Sequence, residues 1–178
     1  MSVLTTVLGI IAGIVILVLL TALFVKKEYT VQSQITIGKN SRVVFDYIKY
    51  LKNQAYYNKW VMMDPNAKMD YKGKDGTVGF TLAWDSKNKN VGKGEQEVKK
   101  IMDGERIDCE IRFERPFKNV AQTFMEVTAI SERTTNVQWG MLGKNPYPFN
   151  LMNLFIPNML EKDLDTSLGI LKNNLEKE

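Results

Sequence analysis

A long uncharged apolar run constrains this chain more than any other feature of its sequence. Residues 3–25, VLTTVLGIIAGIVILVLLTALFV, carry no charge and are followed directly by Lys26, Lys27 and Glu28. A helix of this length, at about 1.5 Å per residue, crosses a hydrocarbon core of about 30 Å. We therefore predict that residues 1–27 form an N-terminal transmembrane anchor and that residues 28–178 form one domain beyond it.

A cleaved signal peptide is the alternative to a retained anchor. The run has no Lys or Arg before it and no convincing A-x-A site after it, which favours a retained single span. Lys26 and Lys27 then predict a single-pass membrane protein with its domain in the cytoplasm, by the positive-inside rule. Gly9 and Gly13 match the GxxxG helix-pairing motif, but chance spacing explains one match, so no oligomeric state is predicted.

Composition excludes several classes of site. The chain has 24 Lys+Arg, 20 Asp+Glu and no histidine, and its charges are interleaved, so no nucleic-acid partner is predicted. A single cysteine, Cys109, rules out an internal disulfide and a CxxC motif. A Ser-His-Asp triad requires histidine, and the usual zinc sites are built from several histidine and cysteine side chains. We therefore predict no metal and no cofactor.

The rest of the sequence predicts an antiparallel sheet followed by a long helix. Residues 29–37 alternate between apolar and polar, as in a strand with one buried face. A helix over 41–53, capped by Asn40 or Ser41, and a short helix near 54–61 follow. Leucines that recur at helical spacing predict an amphipathic C-terminal helix. Asn158, just after Pro157, is its predicted N-cap. Six more strands joined by short turns are predicted at 69–71, 77–86, 91–101, 103–113, 120–131 and 135–143.

The order of these elements, with segments such as YTVQSQITI, FTLAWDSKNKNVGKGEQEV and EKDLDTSLGILKNNLE, resembles the SRPBCC superfamily. That superfamily includes START lipid-transfer domains and polyketide cyclase/dehydrase-like proteins, and the chain is most similar to its membrane-anchored bacterial branch. The resemblance covers residues 28–178. It implies an α+β helix-grip fold, in which a curved antiparallel sheet wraps around the C-terminal helix.

The resemblance also implies an apolar cavity between the sheet and the C-terminal helix. Inward alternation predicts that its wall residues are buried, but plain core packing explains a buried aromatic and leucine stripe equally well. Alternation along its predicted strand turns the side chain of Gln96 inward. There it could orient a ligand or form a hydrogen bond with a neighbouring backbone group. The predicted ligand-binding residues are Phe80, Leu82, Trp84, Gln96, Phe113, Trp139, Leu164, Leu168 and Leu171.

Few polar residues qualify as catalytic candidates, and we assign none. Asp85 and Glu95, on neighbouring predicted strands, suit either an acid–base pair or two solvent-facing hairpin residues. Cys109 is predicted to face inward and to be inert. Three aromatic residues in the helical region could stack on a ligand, lie at the level of the lipid headgroups or pack in the core. They are Tyr56, Tyr57 and Trp60.

These observations predict a membrane-anchored domain that binds a small hydrophobic or amphipathic, lipid-like molecule. A tether of three polar residues holds the domain close to a reservoir of poorly soluble ligand and raises the effective concentration of that ligand. One alternative is a cyclase/dehydrase-like enzyme that uses carboxylates. Another is a ligand-free domain that presents a surface to a protein partner at the membrane.

Overall fold

The computed structural model describes residues 2–177, in which a single apolar helix precedes an α+β domain. The four α-helices are α1 (Val3–Phe24), α2 (Ser41–Ile48), α3 (Lys59–Met62) and α4 (Ile156–Lys177). The seven strands are β1 (Glu28–Ile37), β2 (Lys68–Lys72), β3 (Thr81–Asp85), β4 (Lys93–Met102), β5 (Arg106–Arg115), β6 (Asn119–Ser131) and β7 (Thr134–Lys144). Two 3₁₀ segments, Leu51–Tyr56 and Phe149–Leu154, precede α3 and α4 respectively.

The first helix stands apart from the domain core. α1 is 22 residues long, and almost all of its side chains are exposed, with Ala22 buried at its C-terminal end. Its length and composition suit a membrane span, and a signal sequence near an N-terminus meets the same description. Only residues 25–27 separate α1 from β1, because the alternating pattern of a half-buried strand starts immediately after the apolar run.

The seven strands form one antiparallel sheet in the order β1-β7-β6-β5-β4-β3-β2. The pairings Glu28 with Lys144, Lys93 with Arg115 and Asp85 with Lys93 bring one set of strand ends together beside α1. We call this edge, residues 26–28, 85–93, 114–119 and 144, the α1 rim. The opposite strand ends, residues 37–41, 72–81, 102–106 and 131–134, form the distal rim.

α4 packs against the inner face of this curved sheet, as the predicted leucine pattern requires. Leu164, Leu168 and Leu171 are fully buried against strand residues that alternate inward. Burying each such side chain contributes about 1.5–3 kcal/mol. The Ser33 hydroxyl donates to the Asp165 carboxylate, and Lys172 Nζ donates to Thr36 O at 2.9 Å, which fixes α4 along β1. The predicted helix-grip fold is thereby confirmed.

Several predicted boundaries are wrong for local reasons. The predicted helix over 41–53 ends at Ile48 and continues as a separate 3₁₀ segment. The strand predicted over 77–86 begins only at Thr81, and Val78 is 61% exposed, because glycines with positive φ, among them Gly79, turn the chain before it. α4 begins at Ile156 rather than after an Asn158 cap, with Pro157 in its first turn, where the missing N–H costs nothing.

Candidate ligand-binding site

The predicted wall residues divide between a closed core and a partly exposed end of the sheet. Phe80, Leu82, Trp139, Leu164, Leu168 and Leu171 are buried in one continuous core cluster. Gln96 is buried on the same face of β4, whereas Trp84 and Phe113 are only partly buried, near the α1 rim. The structure therefore brings the predicted residues onto one inner face, and most of them pack against one another.

The inner space is nearly filled. A cavity of about 10 Å³ lies between the inner face of the sheet and the segments α2 and Leu51–Tyr56, with Gln96, Cys109 and Trp139 in its wall. Such a volume holds about one water molecule, whereas a drug-sized ligand needs roughly 300 Å³ or more. Where the open apolar cavity was expected, Leu164, Leu168 and Leu171 of α4 are instead buried in the core cluster together with aromatic residues of the sheet.

Tight hydrogen bonding and ring contacts keep this interior closed. Trp139 Nε1 donates to Thr123 Oγ1 at 3.0 Å, and the Thr123 hydroxyl donates in turn to Gly140 O at 2.8 Å. The Trp139 ring meets Tyr57 and Trp60 edge-on, with centroids 6.0 and 6.3 Å apart. Such ring pairs add about 0.5–1.5 kcal/mol each beyond the burial of area.

A second apolar cluster lies where the grip opens toward the α1 rim. Its buried floor consists of Ile111, Ala121 and Met141, and four partly exposed side chains cover that floor, namely Trp60, Trp84, Phe113 and Leu160. We call these seven residues the rim cluster. Trp84 and Phe113 meet edge-on with centroids 6.1 Å apart, and Trp84 Nε1 donates to Val91 O at 3.1 Å.

The cover residue Trp60 sits on the shortest helix of the domain. α3 has four residues, and Asn58 caps it by accepting from Trp60 N at 3.0 Å. α3 is fixed to α4 through an ion pair between Lys59 and Asp163 and through a bond from Lys59 N to Ser167 Oγ at 3.0 Å. Trp60 thus connects the other residues of the rim cluster to the Trp139 ring, which borders the inner cavity.

The other two aromatic residues of this region have different positions. Tyr57 is fully buried, and burial raises the pKa of its phenol far above its ordinary value. Tyr56 is 64% exposed. Core packing is therefore the structural role of Tyr57, whereas Tyr56 lies on the surface.

The predicted carboxylate pair is not assembled into an acid–base site. Asp85 pairs with Arg115 beside the α1 rim, and Glu95 accepts from Arg112 Nε at 2.7 Å. Both carboxylates lie on the outer face of the sheet, because they alternate with the inward residues Leu82 and Gln96. The acid–base interpretation of this pair is wrong, and the solvent-facing interpretation is correct.

Cys109 lies on the inner face of β5, as its alternation predicted. Burial raises the pKa of its thiol to about 12, and a hydrogen bond with Gln96 offsets part of that rise. The thiolate needed for nucleophilic chemistry is therefore scarce at neutral pH. Gln96 is occupied by a protein partner beside the small cavity.

A larger groove of about 690 Å³ lies on the opposite end of the molecule, between β4, β5 and β6 at the distal rim. Its walls carry mostly charged and polar side chains, three of which form ion pairs with one another. Arg106 binds Asp108 at 2.8 Å and Glu126 at 2.9 Å. This groove therefore lacks the apolar walls that a lipid-like ligand requires.

Sequence reasoning missed two groups of residues. The rim-cluster residues Ile111, Ala121 and Met141 alternate inward on their strands, so their burial was predictable but their position at the open end was not. Asn150 and Asn153, which bind the end of α1, lie between the last predicted strand and the predicted C-terminal helix, where no element is predicted. The alternation of these two asparagines with Phe, Leu and Met residues over 149–155 (FNLMNLF) was the signal available in the sequence.

Comparison with known proteins agrees with the architecture. The family model described as polyketide cyclase/dehydrase and lipid transport matches residues 28–176. Among curated proteins, no sequence matches this chain. The structure is similar to that of norcoclaurine synthase from Thalictrum flavum in complex with dopamine and hydroxybenzaldehyde, with a TM-score of 0.66 and 8% identity over 85% of this chain and 88% of the other.

Two further solved structures share the fold. Hypothetical protein jhp0584 from Helicobacter pylori has a TM-score of 0.63 and 11% identity, covering 84% of this chain and 88% of its own. Protein CV1439 from Chromobacterium violaceum has a TM-score of 0.60 and 14% identity, covering 83% and 96%. At these identities the likeness concerns the fold alone. The family match over residues 28–176 shows that the chain belongs to the polyketide cyclase/dehydrase and lipid transport family.

Proposed function

We propose that this protein is a membrane-anchored ligand-binding protein. Residues 1–27 anchor the domain of residues 28–178 at the cytoplasmic face of a membrane. The domain binds the apolar part of a small hydrophobic or amphipathic, lipid-like molecule. Membership of a family described by cyclases, dehydrases and lipid transport supports a small hydrophobic ligand.

The rim cluster is the observation that carries this proposal. Its four partly exposed apolar side chains cover a buried apolar floor at the rim from which α1 emerges. A ligand tail that replaces the cover keeps the floor dry and gains roughly 25 cal/mol per Å² of apolar area removed from water. The entry therefore faces the side on which a lipid reservoir lies.

Binding beside Gln96 requires the cover to move, because the cavity there has a volume of only about 10 Å³. Trp60 is a cover residue that also contacts the core, since it is partly exposed, sits on a helix of four residues and meets the Trp139 ring. Its movement would open a path from the rim cluster past Trp139 to the cavity beside Gln96. The remaining predicted wall residues, Phe80, Leu82, Leu164, Leu168 and Leu171, meet a ligand only if the opening extends along α4.

Photochemical cross-linking of the full chain in bilayers tests this function. The bilayer contains a phospholipid with a diazirine on one acyl chain, and cross-linked peptides are identified by mass spectrometry. We expect cross-links on peptides that contain Trp84 and Phe113, in addition to those on α1, which serve as an internal control. Cross-links confined to α1 and to residues 147–159 would overturn ligand binding at the rim cluster and favour a ligand-free interaction domain.

Matched variants on one strand sharpen the test. Ala121→Phe fills the floor and should reduce cross-linking at Trp84 and Phe113 by at least about tenfold, whereas Val120→Phe, on the outer face, should leave it unchanged. The larger side chain at Ala121 costs about 1–3 kcal/mol of overpacking, so circular dichroism must show a folded domain. Trp60→Ala, which removes part of the cover, should increase cross-linking.

A further inference from the structure

The segment that joins β7 to α4 lies alongside the last turns of α1. Tyr147 Oη donates to Leu19 O at 3.4 Å, and Asn150 Nδ2 donates to Ala22 O at 2.6 Å and to Val25 O at 2.7 Å. Leu19 precedes Val25 by six residues, which corresponds to about 9 Å along a helix. Residues 147–155 therefore reach the level of the last two turns of α1 rather than ending below the helix.

The polarity of this segment is the reverse of that of a loop in water. Asn150 is fully buried, and Asn153 Nδ2 donates to Lys26 O at 2.9 Å and to Lys27 O at 3.0 Å, so both polar side chains point toward α1 and its junction. The apolar side chains point outward. Those exposed are Phe149 (57%), Met152 (44%), Leu154 (53%), Phe155 (74%) and Met159 (56%).

The inward asparagines meet a need that is greatest in an apolar surrounding. The last carbonyl groups of a helix have no partner within the helix, and in hydrocarbon no water replaces one. Asn150 satisfies two such groups, Ala22 O and Val25 O. In water these carbonyls need no protein donor, so this arrangement suits a helix end that lies in a low-dielectric layer.

The charge around this segment complements anionic lipid headgroups. The α1 rim carries eight basic residues, namely Lys26, Lys27, Lys87, Lys89, Lys93, Arg115, Lys118 and Lys144, against three acidic ones, Glu28, Asp85 and Glu114. The distal rim is close to balanced, with Lys39, Lys72, Lys74, Arg106 and Arg133 against Asp75, Asp103, Glu105 and Glu132. The excess positive charge therefore lies on the side of the apolar segment.

We infer that residues 147–159 are a second membrane contact, inserted into the headgroup and upper acyl layer beside α1 while the α1 rim rests on anionic headgroups. This inference rests on the proposed anchoring by α1. Amphipathic segments of this kind lie about 5–10 Å into that layer, which agrees with a reach of about 9 Å along α1. The bilayer is thus the partner that covers the five exposed apolar side chains.

Fluorescence quenching by lipids tests the insertion on the full chain. Single cysteines are introduced at Phe155, at Ile14 in the middle of α1 and at Ile130 of β6, next to the distal rim, in a Cys109→Ala background. Each is labelled with bimane in vesicles of phosphatidylcholine and phosphatidylglycerol whose acyl chains are brominated near the headgroup or near the chain end. Ile130 is the matched surface control, since it is 59% exposed.

We expect the Phe155 label to shift its emission to shorter wavelength and to lose emission mainly to the shallow bromines. The Ile14 label should lose emission mainly to the deep bromines, and the Ile130 label should be unaffected. Quenching at Ile14 without quenching at Phe155 would overturn the insertion and leave the anchor intact. Absence of quenching at Ile14 would overturn the anchor itself.

Discussion

At the scale of single residues, Cys109 illustrates how the inner face of the sheet excludes reactive chemistry. The thiol is 3% exposed, and burial raises its pKa to about 12 from an ordinary value of 9.0. Tyr57 beside it is also fully buried, and its pKa is raised for the same reason. The folded domain therefore retains these protons at pH values where an unfolded chain releases them.

This difference makes stability depend on alkaline pH. Below pH 9 the thiol is protonated in both states, and the folded state keeps its full stability. Between about pH 9 and pH 12 the unfolded state loses a proton that the folded state holds, so the free energy of unfolding falls by about 1.4 kcal/mol per pH unit for this group. We expect Cys109→Ala to show a shallower loss than the parent between pH 8 and pH 10.5 in urea unfolding.

The parent and the variant share every other titrating group, so the comparison isolates the thiol. Parallel curves for the two proteins would show that the pKa of Cys109 is not raised by folding. The inward position of this residue was predictable, because the charged neighbours Asp108 and Glu110 alternate with it. Its pKa was not, since that depends on helices that cover β5 from distant parts of the sequence.

At the scale of elements, the Phe149–Leu154 segment caps the end of α1 through Asn150. Asn150→Ala removes both hydrogen bonds to Ala22 O and Val25 O. Leaving buried carbonyls unpaired costs about 1–3 kcal/mol each, so we expect the free energy of unfolding to fall by roughly 2–6 kcal/mol. Thermal unfolding of the full chain in detergent micelles measures this change.

Asn173→Ala is the matched control, because Asn173 is an exposed asparagine of α4 that lies outside residues 147–159. Surface substitutions of this kind change stability by less than about 0.5 kcal/mol. An unfolding temperature for Asn150→Ala equal to that of the control would contradict the capping role. An equally lowered unfolding temperature for both variants would show that the loss of stability is not specific to Asn150, which would also contradict the capping role.

Most elements of the fold were predictable from periodicity, and the exceptions share a cause. The strands and α4 follow from alternation and leucine spacing, because a single buried face fixes each pattern. The Phe149–Leu154 segment has no such pattern, since the partners of Asn150 lie 125 and 128 residues away in the sequence. The packing of Trp60 against Trp139 was not predictable for the same reason, because these residues are far apart in the sequence.

At the scale of the whole molecule, the charges around α1 predict the orientation of the proposed anchor and its domain. Lys26 and Lys27 lie on its C-terminal side, and the α1 rim adds further basic residues. Cytoplasmic loops carry an excess of Lys and Arg, so the distal rim should face the cytoplasm. We expect a membrane-impermeant maleimide to label Ile130→Cys, in a Cys109→Ala background, in inverted bacterial membrane vesicles but not in intact spheroplasts.

A label that enters from the spheroplast side would place the domain outside the cell and contradict the orientation. The unmodified chain provides the blank for this experiment, because Cys109 is buried and its thiol is protonated at neutral pH. Detergent permeabilisation of the spheroplasts should then restore labelling of Ile130→Cys. That step separates protection by the membrane from a failure of the protein to fold.

The short, hydrogen-bonded junction between α1 and β1 has a consequence for transport. β1 begins at Glu28, and Asn150 and Asn153 hold residues 22–27, so the domain has almost no freedom to move away from its helix. In the proposed arrangement the protein therefore searches for its ligand by lateral diffusion, and occupancy depends on the mole fraction of that lipid in the bilayer. Delivery to a second membrane then requires a separate carrier, or direct apposition of the two bilayers.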